Sequence, residues 1–302
     1  MKKKIPAILI VDTGIDDAVG IILALHMRKL DIKLIVCGQG NSSLDDIVNN
    51  TLGVLEYSNA PDIQVVKGLP PKKYRFIYNA HGESGLGGFK FNEHQRVVDN
   101  TPAIDAINKV ISENQGTVVI QLGLSTTLAA AFEKYPTIPK QISELVIMGG
   151  SIQEKLDTTN PYAEFNIASD PESAEIIFSS GANILMVPSE LGREAYLDYY
   201  DIYKTKTTNH IGAFLEILFR SYKHRMVSNG AATCDSTAIC AATNKDLFNI
   251  KPVYGFIKYF ESINSGVCLY DYNKTPNMRV CTSINVKKFK KVYFKALKNL
   301  LK

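Results

Sequence analysis

The sequence predicts an α/β fold: a mainly parallel, doubly wound central sheet flanked by helices, with a small antiparallel C-terminal appendage. Two observations support this prediction. Short apolar runs typical of buried strands alternate with longer stretches whose apolar residues recur at helical spacing, as in repeated βαβ units. Around residues 253–282 this alternation gives way to short β-rich runs separated by turn residues, which indicates antiparallel strands.

The alternation can be followed element by element. The apolar run at 5–11 predicts a first strand that is buried on both faces, and Gly14 allows the turn into a helix at 17–29. Further strands are expected near 32–37, 63–66, 117–122, 143–148 and 183–188, and further helices near 43–58, 102–114, 125–135, 170–179 and 208–226. The lysine-rich tail predicts a closing amphipathic helix. No repeat or linker interrupts this order, so residues 1–302 are expected to form one domain.

Composition limits the classes of function. A chain of 302 residues with 45% hydrophobic content can bury a large core. The net charge of +4 arises partly from lysines at the two ends, whereas the candidate site is acidic, so no nucleic-acid partner is expected. The sequence contains neither a membrane-spanning stretch nor a lipidation signal, so no membrane attachment is expected. The five cysteines lack metal-ligand spacing, which indicates reduced thiols in a cytoplasmic protein.

Residues 8–18 carry the strongest sign of a functional site. Asp12, Asp16 and Asp17 follow the first strand, and so much negative charge beside a buried segment requires a cation or a ligand. Strand carboxyl ends are also where open parallel sheets bind ligands. Alternatively, Asp12 opens a turn, while Asp16 and Asp17 lie at the positive end of a helix, where acidic residues are favoured. Because Ca²⁺ prefers oxygen ligands, a second carboxylate is expected, and Asp235 is the candidate, although alone it would suit a helix N-terminus.

Seven short motifs, in a fixed order over nearly the whole chain, carry a family resemblance. They are VDTGIDDA, GQGNSS, HGESGLGG, QLGLSTTLA, VIMGGS, NPYAEFNIASDPESA and TCDSTAI. In this combination the chain resembles the inosine-uridine preferring nucleoside hydrolases. The resemblance implies an N-ribohydrolase that acts on ribonucleosides and uses a tightly bound Ca²⁺ to hold both the ribose hydroxyls and the attacking water.

The resemblance also implies roles for individual residues. The family's calcium ligands correspond to the carboxylates of Asp12, Asp17 and Asp235 and to the backbone carbonyl of Leu122. Asp12 additionally matches the general base. The positions that bind substrate correspond to Asp16, Asn41, Met148, Thr158, Glu164, Asn166 and Asp235, with Met148 beneath the sugar. Judged without the other motifs, Glu164 and Asn166 could instead lie on a solvated strand face.

Two positions depart from the family pattern. Cys234 stands where the best-matching purine and pyrimidine hydrolases carry a histidine, which removes a proposed leaving-group acid and is typical of a distinct subgroup. Thr158 stands where they carry an asparagine that faces the ribose, although Asn160 lies close by in sequence. The Cys234 thiol could protonate the departing base or could simply pack. His81 is then the remaining candidate acid, or an ordinary loop histidine.

The nucleobase is not selected by the sequence. The chain has no Trp, so the tryptophan-stacking purine-specific branch of the family is not expected. Tyr222, His224 and Met226 could line a base pocket or could end an ordinary helix. The leading hypothesis is a Ca²⁺-dependent hydrolase, and the alternative is a non-catalytic nucleoside- or ribose-binding protein; retention of Asp12 favours the enzyme. Family members are commonly dimers or tetramers, so a homodimer or homotetramer is expected.

Overall fold

The computed structural model describes residues 3–72, 80–91, 94–152, 164–205, 209–222, 230–260, 265–298 and 300. The strands of these residues are, in chain order, β1 (Ile5–Val11), β2 (Leu30–Cys37), β3 (Gln64–Lys67), β4 (Val118–Gln121), β5 (Glu144–Met148), β6 (Ile184–Val187), β7 (Leu197–Asp198), β8 (Gly230–Ala231), β9 (Phe248–Phe260), β10 (Ser265–Asp271) and β11 (Met278–Ile284).

The helices of the described residues are, in chain order, α1 (Ile15–His26), α2 (Leu44–Tyr57), α3 (Ala103–Glu113), α4 (Thr126–Lys134), α5 (Ile138–Gln141), α6 (Phe165–Ser169), α7 (Pro171–Ser179), α8 (Ser189–Glu194), α9 (Tyr199–Thr205), α10 (His210–Tyr222), α11 (Cys234–Thr243) and α12 (Val286–Leu297). In this part of the chain, no helix combines the length and the apolar character needed to cross a bilayer.

Nine of the described strands form one sheet, in the order β10-β9-β11-β6-β5-β4-β1-β2-β3. The six strands from β1 to β6 pair in parallel, β11 pairs in parallel with β6, and β9 pairs antiparallel with both β10 and β11. The chain moves outward from β1 to β3 on one side and then restarts at β4 on the other. Such a reversal of strand order opens a crevice at the carboxyl ends of the two central strands, here β1 and β4.

Helices cover both faces of this sheet, which confirms the predicted fold class. Alternate side chains of β1 enter opposite cores: Ala7, Leu9 and Val11 pack with α1, α2 and α8–α12, whereas Ile8 and Ile10 pack with α3–α7. All five are at most 1% exposed. A strand enclosed on both faces needs apolar residues at every position, which is why the run at 5–11 contains no polar residue.

The C-terminal strands differ in detail from the prediction. Strand β9 begins at Phe248, before the expected start at 253, and β11 extends the main sheet by pairing with β6. The appendage is therefore the continuation of the central sheet rather than a separate unit. The short helices α5, α6, α8 and α9 were not predicted, because four to seven residues span too few turns to show a helical period.

Candidate active site

The residues that the motifs single out converge on the crevice between β1 and β4. Asp12 directly follows β1, Leu122 directly follows β4, and Met148 is the last residue of the next strand, β5. Asn41 lies beyond the end of β2 on the other side. Parallel pairing brings these four carboxyl-terminal ends to the same edge of the sheet, so residues distant in sequence face one site.

The turn from β1 into α1 is built around carboxylates. Asp17 accepts hydrogen bonds from the backbone N–H groups of Asp12 (3.2 Å) and Gly14 (3.1 Å), which ties the start of α1 to the end of the strand. Asn41 donates from its backbone to Asp12 Oδ2 (3.0 Å), and its side-chain Nδ2 lies 3.1 Å from both Asp12 O and Asp17 Oδ2. Asp12 and Asp17 are each 1% exposed.

Two glycines make room for the Asp12 carboxylate. A Cβ atom built on Gly123 would lie 2.7 Å from Asp12 Oδ1, and one built on Gly40 would overlap Asp12 Oδ2. Since both contacts are closer than a real Cβ tolerates, any larger residue at either position would displace the carboxylate. Both glycines lie within motifs that carried the resemblance, GQGNSS and QLGLSTTLA, but their contact with Asp12 could not be read from the sequence.

Helix α11 brings the second acidic segment to the site. Asp235 lies in its first turn and is buried against Gly20 of α1, where an added Cβ would stand 3.2 Å from Asp235 Cβ. Carboxylate oxygens of Asp16, Asp17 and Asp235 lie within 4.8 Å of one another. This compact triplet contains Asp16, which the resemblance assigned to the ribose, in place of Asp12.

Burial and mutual repulsion make it unfavourable for these carboxyl groups to ionise unless a positive charge lies nearby. Burial, followed by the charges of neighbouring carboxylates, raises the pKa of Asp12 and of Asp235 well above the usual range. The pKa of Asp16 is raised to about 6, mainly by burial, and that of Asp17 to about 6 by burial and by the charge of Asp16. A cation would relieve this repulsion, and an all-oxygen set of donors fits a hard cation.

Helix α6 supplies the predicted ribose residues Glu164 and Asn166, and both are buried. Glu164 caps this helix: its carboxylate accepts from the backbone N–H groups of Asn166 (3.0 Å), Ile167 (3.2 Å) and Gly150 (3.0 Å). Burial raises the pKa of Glu164 to about 7. The interpretation of these residues as a solvated strand face is therefore wrong, because a capping contact buries the carboxylate at a helix N-terminus.

His81 reaches the site from the loop of residues 80–91, between β3 and α3. Its Nδ1 atom lies 3.0 Å from the backbone nitrogen of Ile15, an N–H donor at the start of α1, and this contact leaves the ring proton of a neutral imidazole on Nε2. The ring lies 5.3 Å from that of Tyr222, whose hydroxyl donates to Asp16 Oδ2 at 3.3 Å. His81 and Tyr222 thus both border Asp16.

Asn50 of α2 anchors the same loop, a role that the sequence did not indicate. Its Nδ2 atom donates to the backbone oxygens of Thr13 (3.2 Å) and Ser84 (2.6 Å). Thr13 belongs to the β1–α1 turn and Ser84 to the His81 loop, so one buried amide joins the two segments. Polar residues at a helix surface are usually solvated, and only the tertiary contact distinguishes this one.

Cys234 is buried beside Asp235 at the start of α11. Its Sγ atom lies 3.7 Å from the backbone oxygen of Ser189, and a Cβ on Gly192 would overlap the Cys234 backbone. Burial, followed by the charges of Asp16 and Asp235, raises the pKa of the thiol well above its usual value. The thiol is therefore protonated at neutral pH. The other candidate site residues, Thr158, Asn160, His224 and Met226, lie outside the described residues.

Comparisons with known proteins identify the family of the chain. The sequence model of the family "Inosine-uridine preferring nucleoside hydrolase" matches residues 7–291. The chain is 33% identical over 294 residues to the non-specific ribonucleoside hydrolase RihC of Escherichia coli strain SMS-3-5, covering 95% of this chain and 96% of the relative. It is 32% identical to RihC of Shigella dysenteriae serotype 1 over the same length and with the same coverage.

Solved structures show the same fold. The plant nucleoside hydrolase PpNRh1 superposes with a TM-score of 0.90 at 26% identity, covering 98% of this chain and 99% of that one. The purine-preferring ribonucleoside hydrolase from Gardnerella vaginalis superposes with a TM-score of 0.91 at 24% identity and the same coverage. The chain therefore belongs to the inosine-uridine preferring nucleoside hydrolase family of metal-dependent N-ribohydrolases and is an enzyme of that class.

Proposed function

We propose that this chain is a Ca²⁺-dependent ribonucleoside hydrolase that cleaves the N-glycosidic bond and releases the free base and ribose. The family and the RihC relatives support ribonucleoside hydrolysis. The observation that carries the calcium proposal is the convergence of buried acidic side chains with the Leu122 backbone at the reversal of strand order. Buried carboxylates this close together can all be ionised only when a cation lies among them.

The residues present fit a calcium ion. Its ligands would be the carboxylates of Asp12, Asp17 and Asp235 and the carbonyl of Leu122, all of them oxygen donors. When bound, Ca²⁺ supplies positive charge that attracts ribose hydroxyls and makes a nearby water more acidic. Asp16 lies close enough to Asp17 and Asp235 to compete for the role of ligand. Comparing the Ca²⁺ affinities of Asp12→Asn and Asp16→Asn decides between the two carboxylates.

Asp12 is the proposed general base. It would take a proton from the attacking water, a role that a positioned carboxylate can fill. Its Oδ2 atom already accepts from the Asn41 backbone, so the carboxylate is held in one orientation. That orientation requires glycine at positions 40 and 123, because a Cβ at either position would come too close to the Asp12 carboxylate.

The ribose must carry positive charge as the bond to the base breaks. Asp16, Asn41, Glu164 and Asn166 are proposed to bind its hydroxyls and Met148 to pack beneath it. Buried carboxylates next to the sugar stabilise the developing cation, because their charge is poorly screened in a site that excludes water. Glu164, whose pKa is about 7, changes charge in the neutral range, so the affinity for the sugar should depend on pH there.

Two groups are candidates for protonating the leaving base. Cys234 would place this chain in the subgroup of the family that carries cysteine at this position. Its protonated thiol could donate, but its contact with the Ser189 carbonyl and the close packing of Gly192 favour a packing role. His81 lies beside Asp16 and Tyr222, but it would act as the acid only as an imidazolium, and protonating Nδ1 requires breaking its hydrogen bond from the Ile15 N–H.

The experiment that tests the function measures free reducing sugar released from a panel of purine and pyrimidine ribonucleosides and from 4-nitrophenyl riboside, with added Ca²⁺. We expect release from at least one natural nucleoside. Asp45→Asn is the matched control, since Asp45 is exposed on α2 and pairs with Lys67 at the surface. Nucleoside binding by calorimetry without any sugar release would favour the binding-protein alternative instead.

We also propose that the protein acts in the cytoplasm as a closed homodimer or homotetramer, the usual form of symmetric enzyme assemblies. The substrate is then a small-molecule nucleoside, without a nucleic-acid or membrane partner. Light scattering at micromolar concentration checks the assembly, and a monomer mass would contradict it.

A further inference from the structure

Two asparagines assigned to the ribose direct their amide nitrogens at the proposed calcium ligands. Asn166 Nδ2 lies 2.6 Å from the Leu122 carbonyl oxygen, 3.3 Å from the Met148 carbonyl oxygen and 3.3 Å from Met148 Sδ. Asn41 Nδ2 lies 3.1 Å from both Asp12 O and Asp17 Oδ2. The same pattern therefore occurs on both sides of the crevice.

The chemistry of these neighbours determines which way each amide points. Carbonyl oxygens and ionised carboxylates only accept hydrogen bonds, so the atom that faces them must be the NH₂ group and not Oδ1. Each NH₂ group has two protons, and each faces two oxygen acceptors. The donor capacity of both amides is thus used on the protein itself. Among the residues that the structure describes, neither Oδ1 atom receives a hydrogen bond.

We infer that Asn166 and Asn41 are positioning residues for the calcium ligands: Asn166 orients the Leu122 carbonyl, and Asn41 holds the Asp17 carboxylate against the Asp12 backbone. The inference rests on the proposed calcium site. The inference also changes the assigned contact with the sugar, because the Nδ2 groups are used on the protein and the side-chain amides can contact ribose only through their Oδ1 atoms. A ribose hydroxyl must then donate to each asparagine rather than accept from it.

The location of Asn166 explains how a single amide can fix this carbonyl. Asn166 is 6% exposed and Leu122 is 1% exposed, so no layer of water competes for the bond. The backbone of Asn166 is itself held by the Glu164 cap, and its side chain spans the ends of β4 and β5. Hydrogen bonds that orient metal ligands in this way are worth about 10- to 100-fold in metal affinity.

The test is the Ca²⁺ affinity of chelator-treated protein, measured by calorimetry without nucleoside. Asn166→Ala, the similarly sized Asn166→Leu, and Asn41→Ala should each bind Ca²⁺ about 10- to 100-fold more weakly than the wild type. Circular dichroism and urea unfolding without Ca²⁺ identify any variant that has lost its fold, and the Leu variant guards against collapse of the small cavity that alanine leaves.

Two control variants separate positioning from general damage. Asn114→Ala removes a similar amide-to-carbonyl bond, 2.9 Å from Asn114 Nδ2 to Val110 O at the end of α3, and should lower stability without changing Ca²⁺ affinity. Met148→Leu alters the proposed floor of the sugar site and removes the 3.3 Å contact from Asn166 Nδ2 to Sδ, but it keeps both oxygen acceptors of that amide. It should raise the KM for nucleoside and leave Ca²⁺ affinity unchanged.

The possible outcomes are distinct. Wild-type Ca²⁺ affinity in folded Asn166 or Asn41 variants, with only the nucleoside KM raised, would show that the residue contacts sugar alone and would overturn the inference for it. An equal loss of Ca²⁺ affinity in Asn114→Ala would show that the Asn166 and Asn41 variants bind Ca²⁺ weakly because they are less stable, and it would overturn the positioning inference. If the wild-type protein binds no Ca²⁺, the proposed calcium site fails, and the inference fails with it.

Discussion

Replacing Asp17 with asparagine shows whether the carboxylates of the site oppose folding when no cation is present. Burial and the charge of Asp16 raise the pKa of Asp17 from 3.8 to about 6. The folded protein therefore binds the proton more tightly than the unfolded chain does. As pH rises from near 3.8 to near 6, the unfolded chain loses this proton first, so the stability of the metal-free protein falls through this window and stays low above it.

The size of the effect follows from the pKa shift. A shift of about 2 units corresponds to about 3 kcal/mol of free energy of unfolding. Asparagine has nearly the same shape but accepts only through Oδ1; with Oδ1 turned to Gly14 and Asn41, the bond from the Asp12 N–H is lost, at a cost of about 1 kcal/mol. Without metal, Asp17→Asn should therefore be more stable than the wild type by about 2 kcal/mol at about pH 7.5.

The assay is urea unfolding followed by circular dichroism, because the chain has no Trp for fluorescence. In chelator, the advantage of Asp17→Asn should vanish as pH falls from about 6 to about 4, and at the acid end the wild type should be the more stable by about 1 kcal/mol, the cost of the lost hydrogen bond. In excess Ca²⁺ the order should reverse, since a ligand at about 100 times its Kd stabilises the wild type by about 2.7 kcal/mol and the variant has lost a ligand. The surface control Asp45→Asn should change stability by less than about 0.5 kcal/mol throughout. A chelated Asp17→Asn protein that is less stable than the wild type at neutral pH would refute this reasoning.

Three further predictions concern other parts of the molecule. Gly123→Ala, whose Cβ would lie 2.7 Å from Asp12 Oδ1, should lower turnover by about 10²-fold in the sugar-release assay with little change in melting temperature; unchanged turnover would mean that the carboxylate tolerates displacement. If the thiol is the acid, Cys234→Ser and Cys234→Ala should lose about 10²-fold on natural nucleosides and little on 4-nitrophenyl riboside, whereas equal losses on both would assign a packing role. Glu144→Gln removes the buried carboxylate that pairs with Arg279 at 2.6 Å and with Lys245 at 2.8 Å, and should cost about 2 kcal/mol of unfolding free energy. The kcat of the folded enzyme should stay unchanged, because Glu144 begins β5 at the edge of the sheet opposite the site.

Much of the fold could be predicted from the sequence because its signals are local. Continuous apolar runs such as 5–11 indicate strands enclosed on both faces, and the helical spacing from 43 to 58 indicates α2, which spans Leu44–Tyr57. Helix α6 could not be predicted in this way. Its five residues form around the Glu164 cap and its contact with Gly150, and such a contact depends on where β5 ends in space.

The candidate site was predictable to a similar extent. Asp12 and Asp17 were identified because charge at the end of a buried strand is unusual, and Asp235 because hard cations need further oxygen ligands. The proximity of Asp16 to Asp17 and Asp235 was not foreseen, since it depends on how α11 packs against α1. The direction of the Asn166 amide was equally hidden, because its acceptor at Leu122 is 44 residues away.

The most direct test of the proposed mechanism measures ribose release from inosine and uridine by chelator-treated protein while Ca²⁺ is added back, for the wild type and for Asp12→Asn. We expect the wild type to be inactive in chelator, to regain turnover of at least one nucleoside as Ca²⁺ is restored, and Asp12→Asn to stay folded and inactive throughout. Full turnover in chelator would contradict the calcium requirement, and near wild-type rates for Asp12→Asn would contradict its role as general base.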